Sequence, residues 1–86
     1  MYFVYVLQSR VDRRFYIGFT SDLKRRVQEH GRGDNASTSY RKEMRLIYFE
    51  AYLHKMDVIG REKFLKSGSG HHFLKKQLRY FLSMGG

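Results

Sequence analysis

Cysteine is missing from this chain, and so is proline. Without cysteine a disulfide framework and a Cys-based zinc site are excluded. The absence suits a reducing cytoplasm, which is the expected location. Without proline, helix boundaries have to be marked by glycine and by capping side chains. Acids are scarce: Asp and Glu total 8 against 17 Lys and Arg, for a net charge of +9. From Lys63 to Gly86 there is no acid, so Glu62 is the last carboxylate. No run approaches the roughly 18 apolar residues of a membrane span. The opening MYFVYVLQSR has too short an apolar stretch for a signal peptide and reads as a strand. Linkers, repeats and low-complexity tracts are not evident.

What is present is a large aromatic load. The 86 residues include seven Phe and seven Tyr, and 42% are hydrophobic. That supports one small domain with a real core. The positive charge favours a polyanionic partner, with nucleic acid ahead of an anionic membrane surface.

The runs YFVYVLQS and RFYIGFT are rich in β-branched and aromatic residues. They predict two strands, and the short RVDR between them predicts an antiparallel hairpin. Bulky apolar groups on both faces predict a sheet covered on both sides. Ser21 and Asp22 mark the start of a helix running from Leu23 to about His30. A polar loop, GRGDNASTS, follows. RLIYFEAYL predicts a third strand, and His54 to Lys66 a second helix that SGSG should stop. A third helix is expected from His71 to about Leu82, with Phe73, Leu74, Leu78, Phe81 and Leu82 inward. Residues 83–86 are expected to form a disordered tail after a single domain spanning 1–82. The order β-β-α-β-α-α predicts an α+β fold: a small three-stranded antiparallel sheet flanked by helices.

Several polar residues fall on faces predicted to be buried. Arg26 and His30 share a stripe with Leu23 and Val27, whereas Lys24 and Arg25 point outward. Glu62 lies between Val58 and Leu65 at i, i+4, i+7. An ion pair with Lys66 is its plain explanation, with Arg26 or a metal as alternatives. Tyr5 shares a strand face with Phe3 and Leu7, and Tyr16 with Gly18. Gly18 is out of place in a strand interior and suggests close approach by another backbone or a ligand. Each tyrosine alone reads as a core aromatic. As a set, two tyrosines, an Arg, a His and a Glu supply what phosphodiester hydrolysis requires. A carboxylate binds a hard metal, a guanidinium stabilises the transition state, and a hydroxyl or imidazole takes a proton from water.

At this point the sequence resembles the GIY-YIG nuclease family, in particular its small stand-alone bacterial members and the nuclease domain of the ABC excinuclease. The pieces that carry the resemblance are FVY at 3–5, YIG at 16–18, SDLKRRVQEH at 21–30, LIYFEAY at 46–52 and REKFLK at 61–66. They extend from about Tyr2 to Leu78. The resemblance implies roles for Tyr5 as proton acceptor or water-positioning group and for Tyr16 as a contact to the phosphate or water. It makes Gly18 the motif glycine, Arg26 the phosphate-binding arginine, His30 a histidine near the active site and Glu62 the single metal ligand. The implied metal is Mg2+, with Mn2+ as a substitute. The implied activity is metal-dependent endonucleolytic cleavage of DNA, in repair or recombination. Two departures are visible: Phe3 replaces the first motif glycine, and the third helix has no asparagine. Arg14, Lys24, Arg25, Arg41, Lys42, Lys75 and Lys76, with Arg13 and Arg79, would track the DNA backbone. The competing readings are a non-catalytic nucleic-acid-binding module and, with least support, a basic protein adaptor. No membrane partner is expected, and the chain should be a monomer or a weak homo-oligomer.

Overall fold

The computed structural model describes residues 1–31 and 43–86. The polar loop foreseen from sequence, with Arg41 and Lys42 after it, lies almost wholly outside them. Three strands form one sheet: β1 Tyr2–Ser9, β2 Phe15–Thr20 and β3 Met44–Tyr52, in the order β2-β1-β3. Both pairings are antiparallel. Four helices complete the described chain: α1 Leu23–Gly31, α2 Lys55–Lys66, α3 Gly68–Gln77 and α4 Arg79–Ser83. The class is the α+β arrangement expected from the residues, with the predicted third helix in two pieces. Among the described residues no helix is long and apolar enough to cross a membrane.

The central position of β1 explains its composition. Val4 to Ser9 are all buried, so both faces of the strand must be packed. Val4 and Val6 face α2 and α3, where they meet Val58, Leu65 and Leu74, each 0% exposed. Phe15, Ile17 and Phe19 of β2 extend the same layer. Tyr5 and Leu7 point to the opposite face, towards α1. A register shift between Val6 and Leu7 leaves one additional residue on β3.

The SGSG stretch does something other than stop a helix. Ser67 ends α2 and begins α3 in extended backbone, φ −79° and ψ 168°, so no left-handed glycine cap is used. Its hydroxyl accepts a hydrogen bond from Gly70 N at 3.1 Å. The glycines then form the first turn of α3. A Cβ on Gly70 would collide with the Phe64 carbonyl and sit 2.5 Å from Leu65 Cα. The absence of a side chain there lets two consecutive helices cross almost in contact. The helix breaks again at Leu78, whose N–H reaches both Leu74 O and Lys76 O. After α4, Gly85 N and Gly86 N donate to Leu82 O and Phe81 O.

Candidate active site

Tyr5 sits in the middle of β1, directly across from Gly18 on β2. Its phenol leans over that glycine: a Cβ on Gly18 would lie 2.5 Å from Tyr5 Oη. The close approach foreseen at Gly18 is made by the Tyr5 side chain rather than by backbone. Tyr5 is 5% exposed and His30, from the last turn of α1, is also 5% exposed. Tyr5 Oη lies 3.4 Å from His30 Nε2, and the rings meet edge to face with centroids 5.9 Å apart. One proton serves this contact, carried by either the phenol or the imidazole. Tyr16 stands opposite Leu7 and shares the Tyr5 and Gly18 face.

Charges around the Tyr5 hydroxyl come from separate elements. Burial raises the Tyr5 pKa; Arg26 works against this, while Glu62 and Glu29 add to it. Burial also lowers the His30 pKa, Arg26 lowers it further, and Glu29 opposes both. At neutral pH His30 is therefore a neutral imidazole able to accept a proton, and Tyr5 is protonated. Arg26 of α1 and Glu62 of α2 thus act electrostatically on one hydroxyl although their helices are far apart in sequence.

Neither ion is free of other partners. Arg26 Nε lies 3.6 Å from Glu29 Oε1, and Arg25 Nε lies 3.2 Å from Glu29 Oε2. The two arginines line a cleft of about 150 Å³ with Thr20, Ser21, Asp22 and Glu29. Glu62 is held between fully buried Val58 and Leu65, its side chain 17% exposed. Its cation is Lys66, at 3.4 Å, rather than Arg26. Among the described residues no cluster of three or more His, Asp or Glu could hold a metal. A lone carboxylate does not suit zinc. It does suit a hard ion that keeps most of its waters and borrows phosphate oxygens from its substrate.

The outward basic residues form two groups, one on α1 and one where the start of β2 lies beside α3. Lys24 and Arg25 are exposed on α1; Arg14 lies beside the opposite end of β2; Lys75 and Lys76 are exposed on α3.

Sequence reasoning did not single out a polar cluster on the other face of the sheet. Glu50 on β3 accepts from Arg61 of α2 through Nε at 2.8 Å and Nη2 at 3.0 Å. Tyr52 donates to the same carboxylate at 2.7 Å, and Tyr48 makes a second, very short bond to it. Arg61 also covers the Phe64 and Phe73 rings. Burial would raise the Glu50 pKa, but the hydrogen bonds from Arg61 and both tyrosines bring it below the ordinary value. Burial and the bond to Glu50 push Tyr48 up to about 12. Arg61 immediately precedes Glu62, so this cluster fixes the segment of α2 that carries it. The available signal was the period-two spacing of Tyr48, Glu50 and Tyr52.

Comparison with known proteins gives these residues a context. The family model described as the GIY-YIG catalytic domain matches residues 1–77. A UPF0213 protein of Lacticaseibacillus paracasei is 39% identical over 71 residues, covering 81% of this chain and 79% of the relative. A UPF0213 protein of Haloquadratum walsbyi is 34% identical, covering 77% of this chain and 74% of its own. A third, from Clostridium perfringens, is 34% identical with 77% and 71% coverage. No solved structure gives a significant match. With a match spanning both tyrosine motifs, the helix of Arg26 and the helix of Glu62, the chain belongs to the GIY-YIG family.

Proposed function

We propose that this chain is a metal-dependent DNA endonuclease that uses Tyr5, Tyr16, Arg26, His30 and Glu62. The observation that supports the reading is the buried Tyr5–His30 contact between β1 and α1, at 3.4 Å, with Arg26 and Glu62 both influencing the ionisation of that hydroxyl. Glu62 is the residue that would hold Mg2+, or Mn2+ in its place. When bound, such an ion supplies positive charge to the scissile phosphate and its leaving oxygen. The i,i+4 Glu62–Lys66 pair is worth only about 0.3–0.5 kcal/mol, so Glu62 would give it up at small cost in order to hold a divalent cation.

The remaining steps belong to the chain. Arg26 binds the phosphate and stabilises its extra charge. The Tyr5–His30 pair receives the proton of the attacking water. Neutral His30 is the acceptor suited to neutral pH, and the Tyr5 hydroxyl relays the proton or positions the water. Tyr16 contacts the phosphate from β2, and Gly18 keeps the floor open for Tyr5. Lys24, Arg25, Lys75 and Lys76 hold the DNA backbone without reading its sequence. The family match implies nucleic acid as substrate; DNA, and a task in repair or recombination, are proposals on the same basis.

Glu62→Ala and Arg26→Ala test this with magnesium and duplex, flap or branched DNA. Cleavage should fall by about 100-fold or more while binding persists. Full activity of either variant would remove the reading. A second reading, a nucleic-acid-binding module without catalysis, draws on the Lys66 pairing of a solitary carboxylate. Binding without cleavage of any of these substrates, with magnesium or manganese, would select it.

A further inference from the structure

The turn between β1 and β2 carries a feature that the candidate active site does not use. Arg13 is the only non-glycine residue with positive φ among those described, at 65°. Its backbone is held on both sides. Arg13 N donates to Ser9 O at 2.9 Å, and Arg13 O accepts from the buried Gln8 amide at 3.4 Å. This conformation places Arg13 in the walls of two neighbouring cavities. The first, about 330 Å³, is lined by Arg13, Arg14, Phe15, His71 and Lys75. The second, about 200 Å³, is lined by Gln8, Arg10, Arg13, Arg45 and Gly85.

Neither lining includes a carboxylate among the described residues; the acid beside them is Asp12, whose Oδ2 lies 3.8 Å from Arg14 Nε in an exposed pair that a phosphate would replace. Arg45 Nε is buried with no hydrogen-bond partner among them. The first cavity also has an aromatic wall, the Phe15 and His71 rings lying 30° from parallel with centroids 6.3 Å apart. Its volume is at the low end of small-ligand sites, which span roughly 300–1,000 Å³. Cations on both sides of an aromatic surface are what an unpaired polynucleotide requires: phosphates for the cations, a base face for the rings. A duplex satisfies this poorly. Its bases are already stacked on both faces and cannot turn one towards a wall between β2 and α3.

We propose that these two cavities form a binding track for a single nucleic-acid strand. Arg10, Arg13 and Arg45 take one phosphate, Arg14 and Lys75 the next, and the base between them lies on the Phe15–His71 wall. Phe15 is three positions from Gly18 along β2, or about 10 Å at strand rise. If the chain cuts DNA as proposed above, its substrate therefore has an unpaired segment next to the cut, as in a flap or an overhang. The track itself rests on the polyanion reading alone.

Metal-free fluorescence anisotropy separates the two readings, because no cleavage is needed. The probes are a labelled single strand of about 12 nucleotides, a length within single-strand site sizes, and a blunt duplex of the same length. The wild-type chain should prefer the single strand. Arg13→Gly is the informative variant, since glycine favours positive φ and should fold at least as well. It should weaken single-strand binding and make the salt slope shallower by about 0.7, one phosphate contact. His71→Ala should weaken it about fivefold or more through lost stacking, without changing the slope. Equal affinity for strand and duplex, or an unchanged slope in Arg13→Gly, overturns the track while leaving the nuclease reading untouched. Phosphatidylserine vesicles competing as well as the strand would also overturn it. Loss of cleavage in Glu62→Ala with unchanged strand affinity supports the track as a separate site.

Discussion

Gly18 is the residue on which the Tyr5 geometry depends most plainly. Its missing Cβ is the space in which the phenol lies. Gly18→Ala should cost about 1–3 kcal/mol by overpacking, measured by denaturant unfolding. It should also move the Tyr5 ring, so cleavage should fall further than the stability loss alone explains. An equally stable and equally active variant would show that the ring has another resting place. His30 offers a second check. Its folded pKa lies below the ordinary value, chiefly through burial and then Arg26. Its ring signals should titrate in NMR below pH 6.5, and Arg26→Ala should raise the midpoint. The positions of Tyr5, His30 and Glu62 on inward faces were legible from periodicity. The Lys66 partner of Glu62 was legible too, from i,i+4 spacing; Glu29 beside Arg26 was not, being a choice made by side-chain geometry in the folded state.

Two glycines show why element boundaries were harder to read than element types. Gly60, inside α2, would have nothing within 4 Å of an added Cβ, so it serves no close contact. Gly60→Ala should stabilise the chain by about 0.4–1 kcal/mol, seen as a higher unfolding midpoint. Gly70→Ala should do the reverse, because a Cβ there strikes the backbone of α2. In sequence both are simply glycines near helices; only the path of the neighbouring helix distinguishes them. The same holds for the break at Leu78, which no proline or glycine marks. The strands were easier. β1 and β2 are apolar and β-branched because the sheet is packed on both faces, and that requirement is visible in composition.

At the scale of the whole molecule, the Glu50–Arg61 pair joins β3 to α2, and Arg61 reaches α3 through Phe73. Its charge balance predicts how the fold responds to acid. The folded Glu50 carboxyl has a lower pKa than the unfolded one. The stability it contributes is thus present above the ordinary carboxylate pKa and is lost as pH falls through the depressed folded value. Tyr48 acts at the other end: its contribution is present below about pH 10 and is lost as pH rises through about 12. Glu50→Gln should flatten the acid limb of the unfolding midpoint against pH and lower the plateau, since Arg61 loses its counter-charge. An unchanged acid limb would mean that other carboxylates control it. Period-two spacing could place Tyr48, Glu50 and Tyr52 on one face of β3, but nothing local to β3 or α2 shows that Arg61 will meet Glu50.

The central claim is that Glu62 serves a metal rather than only Lys66. The direct measurement is single-turnover cleavage of a flap or overhang DNA by wild type and Glu62→Gln across a magnesium titration. Wild type should show saturable, magnesium-dependent cleavage, and Glu62→Gln should be slower by about 100-fold or more with unchanged metal-free DNA affinity. Equal rates and equal magnesium dependence in the two proteins would contradict the account.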